Sequence, residues 1–180
     1  MIGADLVFES FAPGRIEAMG LGPDVLWRAN PAVSLVSISP FGRGGPWSDR
    51  AATEFTLQAL CGSTASRGTQ DRPPLHAGGR LGEWLTAGFV ALGALTAWSR
   101  TRRSGHGEHV DVSMLEAMAI GIVHAQTLQK SFGTSSYMAA RQVEIPSIEP
   151  AADGWVGFCT ITNQQWRDFL VLVERPDLVD

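Results

Sequence analysis

The sequence predicts an α/β protein, and three observations carry that reading. Residues 5–9 (DLVFE) and 33–39 (VSLVSIS) are short, apolar and partly β-branched, as buried parallel strands are. Helix-like segments follow each of them, the most apolar running over residues 84–98. Strands and helices then alternate along the chain, which is the pattern of a mostly parallel sheet covered by helices. The strands are too few for a closed sheet of this type. With 180 residues, 44% of them hydrophobic, the chain is long enough to bury a real core.

Taken in order, the strand at 5–9 is followed by a turn at Pro13-Gly14, a helical turn over 16–19 and a stop at Gly20 and Gly22. Residues 23–28 read as a short helix before Asn30-Pro31, and 33–39 as the second strand. The stretch PFGRGGPWSDR (40–50), with three glycines and two prolines, is loop by composition. Residues 53–61 are helix-like, while 62–82 are rich in Gly, Pro, Ser and Thr. An irregular loop of that length inside a domain is usually functional or disordered. It runs into Leu81-Gly82-Glu83 and the apolar helix, which is apolar almost all round and is expected to be buried on all sides. Residues 109–112 (HVDV) predict a third strand. Ser113 and Glu116 form a capping box that opens an amphipathic helix with Leu115, Met118, Ala119, Ile122 and Ala125 on one face. Residues 133–150 lose the apolar periodicity and read as a linker. Beyond it, 154–160 (GWVGFCT) reads as a strand, and Thr162 and Gln165 form a second capping box opening a helix through Val173.

Composition narrows the function. A net charge of −4 argues against a nucleic-acid-binding domain. The cluster Arg100, Arg102 and Arg103 reads as the cationic last turn of a helix, with a phosphate-docking point as the sharper alternative. Cys61 and Cys159 have no metal-ligand spacing and read as small buried hydrophobes in a reducing compartment. Asp5 and Glu9 interrupt any signal-peptide pattern, and the most apolar segment is shorter than the roughly 18 residues a bilayer span requires, so a cytoplasmic protein without a membrane segment is expected. His76, His106, His109 and His124 are scattered, and no metal site is expected; phosphate-loop, dinucleotide, zinc-protease and nucleophile-elbow signatures are all missing.

What remains is Glu83, between a Gly-rich loop and an apolar helix. Locally two readings stand: a carboxylate that satisfies free N–H groups at the helix start, or a nucleophile or acid/base held against apolar surface.

The ordered set ADLVFESFAPGRIEAMGLG, NPAVSLVSISPFGRGGPWSDR, EFTLQALCG, GEWLTAGFVALGALTAW, RTRRSGHGEHVDVSMLEAM and DGWVGFCTITNQQWRDF resembles the family III CoA-transferases, also called the CaiB/BaiF family. The likeness covers nearly the whole chain. It implies part of a Rossmann-like large domain that handles coenzyme A (residues 1–132 with connecting helices), a linker (133–150) and the start of a small domain (151–180). It also implies a chain that continues at both ends and an interlocked homodimer. The substrates would be an acyl-CoA thioester and a carboxylic acid, with no permanently bound cofactor. Aligning Gly82 and Gly93 with the family's glycines places Glu83 on the family's nucleophilic aspartate, one methylene longer. The family's CoA-contacting ENF-x-PG loop corresponds to residues 9–14 (ESFAPG), so Ser10 and Phe11 are implied CoA contacts. An arginine used on CoA phosphates falls at Ala18, with Arg15 as the substitute one turn earlier. Alternatives are a 2-methylacyl-CoA racemase-like isomerase, whose histidine base would fall on Thr53 with Glu54 after it, or a non-catalytic CoA-binding subunit or inactive fragment.

Overall fold

The computed structural model describes residues 3–64, 67, 72–122, 147–158, 160 and 162–178. His124 and Cys159 lie outside these residues, as does most of the expected linker. The chain divides into two compact units, Met1–Met138 and Ala139–Asp180.

In the first unit, β1 (Leu6–Glu9), β2 (Ser34–Ser39) and β3 (His109–Ser113) form one parallel sheet in the order β1-β2-β3. The connection from β1 to β2 carries α1 (Arg15–Ala18) and α2 (Pro23–Ala29). The connection from β2 to β3 carries α3 (Glu54–Leu60) and α4 (Leu81–Ser104), and α5 (Met114–Ile122) leaves the end of β3. Alternate residues of a strand face opposite sides, and here both sides are covered. Leu35 and Val7 meet Ile16, Leu26 and Trp27 from α1 and α2, whereas Val36, Val110 and Val112 meet Phe89, Val90 and Ala94 from α4. The central strand β2 is therefore buried over nearly its whole length, which explains its unbroken apolar and small-residue sequence.

Close approach is built from glycines. A Cβ at Gly93 would sit 2.9 Å from Val110 Cγ1, so the α4 backbone can lie against β3 only because Gly93 has none. The helix itself differs from the sequence expectation of burial on all sides. Thr86, Ala94, Ala97 and Thr101 face inward, but Trp84, Leu92 and Leu95 are largely exposed. Apolar character shows what a surface can bury, and on this side of α4 the described residues offer it no cover.

In the second unit, β4 (Ser147–Ala151) and β5 (Gly154–Phe158) form an antiparallel hairpin, followed by α6 (Asn163–Leu172). The capping box at its start is formed in both directions, Thr162 accepting from the Gln165 N–H and Gln165 from the Thr162 N–H. Residues 147–150, read from sequence as the end of a linker, belong to β4. Pro150 hid them: proline is expected to end a strand, but a two-stranded hairpin has outward-facing edge positions where a missing N–H costs nothing. No helix among the described residues is long and apolar enough to cross a membrane.

Candidate active site

Glu83 lies in the first turn of α4, and its carboxylate pairs with the guanidinium of Arg80, one turn earlier. Both line a pocket of about 410 Å³ with Ser10, Ile38, Thr86, Ala87, Val90 and Met114. The location follows from the topology. Ser10 comes directly after β1, Ile38 is near the end of β2, and Met114 comes directly after β3. The pocket thus opens at the carboxyl ends of the parallel strands, where open α/β sheets place their ligands.

Glu54 bears on the two local readings of Glu83. Glu54 Oε1, from α3, accepts the Gly82 N–H at 2.7 Å and the Gln58 amide at 2.9 Å. A free N–H at the start of α4 is therefore satisfied from another helix, while Glu83 turns to Arg80. Gln58 is fully buried and ties down the incoming loop with both ends of its amide, accepting the Ala77 N–H at 2.7 Å and donating to the Ala77 carbonyl at 3.1 Å. Thr86 Oγ1 donates to the Gly82 carbonyl at 2.6 Å. The residue before Glu83 is thus held through its N–H and its carbonyl. Glu54 Oε2 is buried without a hydrogen-bond partner among the described residues.

A second network fixes the rim. Arg43, in the loop after β2, pairs with Glu9 at 3.0 Å and with Glu17, and its backbone N–H donates to Asp111 at 2.8 Å. The buried Glu9 carboxylate also accepts the Phe11 N–H at 2.8 Å. The turn carrying Ser10 is thereby joined to the loop beyond β2 and, through it, to β3. Nearby, His109 shares a hydrogen bond of 2.9 Å with Ser37. Partial burial, and then the Arg43 charge, hold this imidazole below its ordinary pKa.

Of the residues implied by the resemblance, the structure brings Ser10 and Glu83 to one pocket. Phe11 is half-exposed and Arg15 opens α1; neither is among the described residues lining it. Thr53 caps α3 by accepting the Thr56 N–H. Burial pushes the Cys61 thiol up, away from thiolate reactivity. Among the described residues no three His, Cys, Asp or Glu side chains are grouped as metal ligands.

Sequence reasoning missed Arg80, Gln58 and Arg43. Arg80 had a signal, since Arg and Glu three apart on a helix are neighbours. Gln58 showed only its helical spacing from Glu54, with its loop partner Ala77 lying 19 positions away, and Arg43 had no local signal, its partner Glu9 lying 34 positions away.

Comparison with known proteins gives the family and the fold it shares. Residues 2–180 match the family described as CoA-transferase family III. Succinyl-CoA–D-citramalate CoA-transferase from Chloroflexus aurantiacus is 40% identical over 63% of this chain and 28% of its own. Succinyl-CoA:mesaconate CoA-transferase from Haloarcula hispanica is 32% identical over 97% of this chain and 46% of its own. The crystal structure of a CaiB/BaiF family protein from Brucella suis superposes with a TM-score of 0.78 at 25% identity, covering 98% of this chain and 48% of that one. The chain spans about half the length, or less, of these relatives. With a match over almost every residue and a parallel sheet of the same architecture, the chain belongs to the CoA-transferase family III.

Proposed function

We propose that this chain carries the nucleophile of an acyl-CoA:carboxylate CoA-transferase, and that the nucleophile is Glu83. The observation that carries the reading is the division of labour at the start of α4: Glu54 takes the Gly82 N–H, and the Glu83 carboxylate is left to line the pocket.

In this cycle a Glu83 oxygen attacks the thioester carbonyl carbon. The C–S bond breaks, the thiolate keeps the electron pair, and a mixed anhydride remains. The thiolate then attacks Glu83 Cδ, releasing the donor's carboxylate and leaving a glutamyl–CoA thioester. The acceptor carboxylate attacks the same carbon and expels the thiolate, which attacks the acceptor's acyl carbon and restores Glu83. A carboxylate is required because the nucleophile must carry first the acyl group and then CoA. The apolar wall of Ile38, Ala87, Val90 and Met114 suits the body of an acyl group. Ser10, Phe11 and Arg15 are proposed to meet CoA, with residues 1–132 as part of the CoA-binding domain of an interlocked, cytoplasmic homodimer. Thr53 does not suit the isomerase alternative, because a hydroxyl engaged in capping is a poor base for an α-carbon proton.

The test is to incubate the full-length protein with acyl-CoA and digest it for mass spectrometry, with and without hydroxylamine. Glu83 should carry CoA as a thioester and should yield a hydroxamate when hydroxylamine is present. Glu83→Ala should lose at least about 10⁴-fold in kcat, the scale seen when a covalent nucleophile is removed. An unmodified Glu83 together with an active Glu83→Ala protein would sink the reading.

A further inference from the structure

We infer that Arg80 is the carboxylate-binding group of this pocket, exchanging the Glu83 carboxylate for that of the acid substrate whenever Glu83 is acylated. This rests on the transfer reading above and adds a residue to it.

Three observations point the same way. Arg80 is the one cationic side chain among the described residues lining the pocket. Among the described residues its ion-pair partner is Glu83, three positions on, so both groups sit where α4 opens, Arg80 as its N-cap residue and Glu83 in its first turn. The guanidinium is otherwise open, with the side chain 74% exposed. Its hydrogen bond to Glu83 and the Glu83 charge, with a smaller contribution from the Glu54 charge, hold the Arg80 pKa above its ordinary value.

The charge balance of the cycle supplies the rest. No proton moves in any of its four displacements, so the reacting groups carry one negative charge throughout. That charge resides on Glu83 at the start and end. In between it passes to the thiolate, to the departing donor carboxylate, to the incoming acceptor carboxylate, and to the thiolate again. In the anhydride and the thioester Glu83 is neutral and can no longer satisfy a guanidinium. Arg80 then faces the pocket with a planar fork of donors matched to a carboxylate. The acid that leaves and the acid that enters each present the group that Glu83 has just given up. A thiolate, with one large soft atom, suits the fork less well. While Glu83 is free and ionised it competes for Arg80, so the acid is bound strongly only after acylation. The arrangement therefore selects the order of events as well as the substrate class.

Arg80→Gln and Arg80→Lys in the full-length protein test this. With acyl-CoA saturating and the acid varied, Arg80→Gln should raise KM for the acid on the order of 10- to 100-fold, the range for loss of a charged hydrogen bond. Arg80→Lys should fall between it and the parent, keeping the charge without the fork. The Glu83–CoA thioester should still form from acyl-CoA in both variants. A fall in kcat with KM for the acid unmoved, in variants that melt like the parent, would make Arg80 a mere orienter of Glu83 and overturn the proposal. An unchanged KM with unchanged kcat overturns it equally, and in either case a Glu83–CoA adduct leaves the transfer reading standing. Absence of that adduct from the parent protein would remove the transfer reading itself, and this proposal with it.

Discussion

A Cβ on Gly82 would lie 2.6 Å from the Met118 sulfur, 2.7 Å from its methyl carbon and 2.8 Å from Glu54 Oε2. Met118 is fully buried, so its end has no solvent to swing into. Gly82→Ala must therefore displace Met118, Glu54 or the first turn of α4. Overpacking of this kind costs roughly 1–3 kcal/mol in stability. The larger effect should be on turnover, because Glu83, the proposed nucleophile, is the next residue and a shift of about 1 Å in a reacting group can cost on the order of a hundredfold. Melting and kcat measured on the same Gly82→Ala preparation check this; a variant that loses stability but keeps kcat would show that Gly82 does not position Glu83. At this scale the sequence was legible where a candidate stands out by its position along the chain. Glu83 does so because it opens an apolar helix after a Gly-rich loop and because the resemblance puts it at the family's nucleophile position; the structure adds that it lines a pocket. The roles of Glu54 and Gln58 were not legible, since a carboxylate that caps a helix 28 positions away has no local signature. Phe11 and Arg15 were assigned by likeness, and the folded turn places only their neighbour Ser10 at the pocket.

Among the elements, the tightest junction is the entry to β3. The Gly107 N–H donates to the Pro31 carbonyl at 2.7 Å, and a Cβ at Gly107 would fall 1.8 Å from the Val33 carbonyl oxygen and 2.8 Å from Trp27 Nε1. Trp27 Nε1 itself donates to that carbonyl at 3.0 Å. Backbone stands in the way here, and it belongs to the residue just before the central strand. Gly107→Ala should therefore lower the unfolding free energy on the order of 3 kcal/mol, the upper part of the overpacking range, read as a drop in urea midpoint. A change below about 0.5 kcal/mol, typical of an open surface site, would mean that β3 can enter the sheet by another path. Strands and helices were legible one by one because period and capping are local: Thr162 and Gln165 announce α6 three residues apart. The order β1-β2-β3 and the residue-by-residue register were not, because they depend on which buried faces meet. The hairpin strand β4 was lost to Pro150, where a local rule against proline was overridden by an edge position.

For the molecule as a whole, the largest departure from the sequence reading is the uncovered side of α4. Trp84, Leu92 and Leu95 are 78%, 65% and 61% exposed, and with Ala87 and Ala91 they form one apolar stripe along the helix. The opposite side of α4 closes the sheet and carries Thr86 and Val90 beside the pocket, so the helix joins an ordered site to an open apolar surface. A contiguous stripe of this kind drives association in water, since each exposed leucine that becomes buried contributes about 1.5–3 kcal/mol. The 180 residues prepared alone should therefore self-associate with rising concentration and bind a dye that fluoresces on apolar surface. Leu92→Glu combined with Leu95→Glu should suppress both effects. Neither side chain belongs to the sheet-facing core of α4, so the melting midpoint of the double variant should stay close to that of the parent chain. Sedimentation velocity over a concentration series, paired with thermal melting, separates the outcomes. Loss of association at unchanged stability locates the driving surface on this stripe. Association that persists would move it elsewhere, with the edges of β1 and β3 that are unpaired among the described residues as the next surface to block, because unpaired strand edges are the other common route to association.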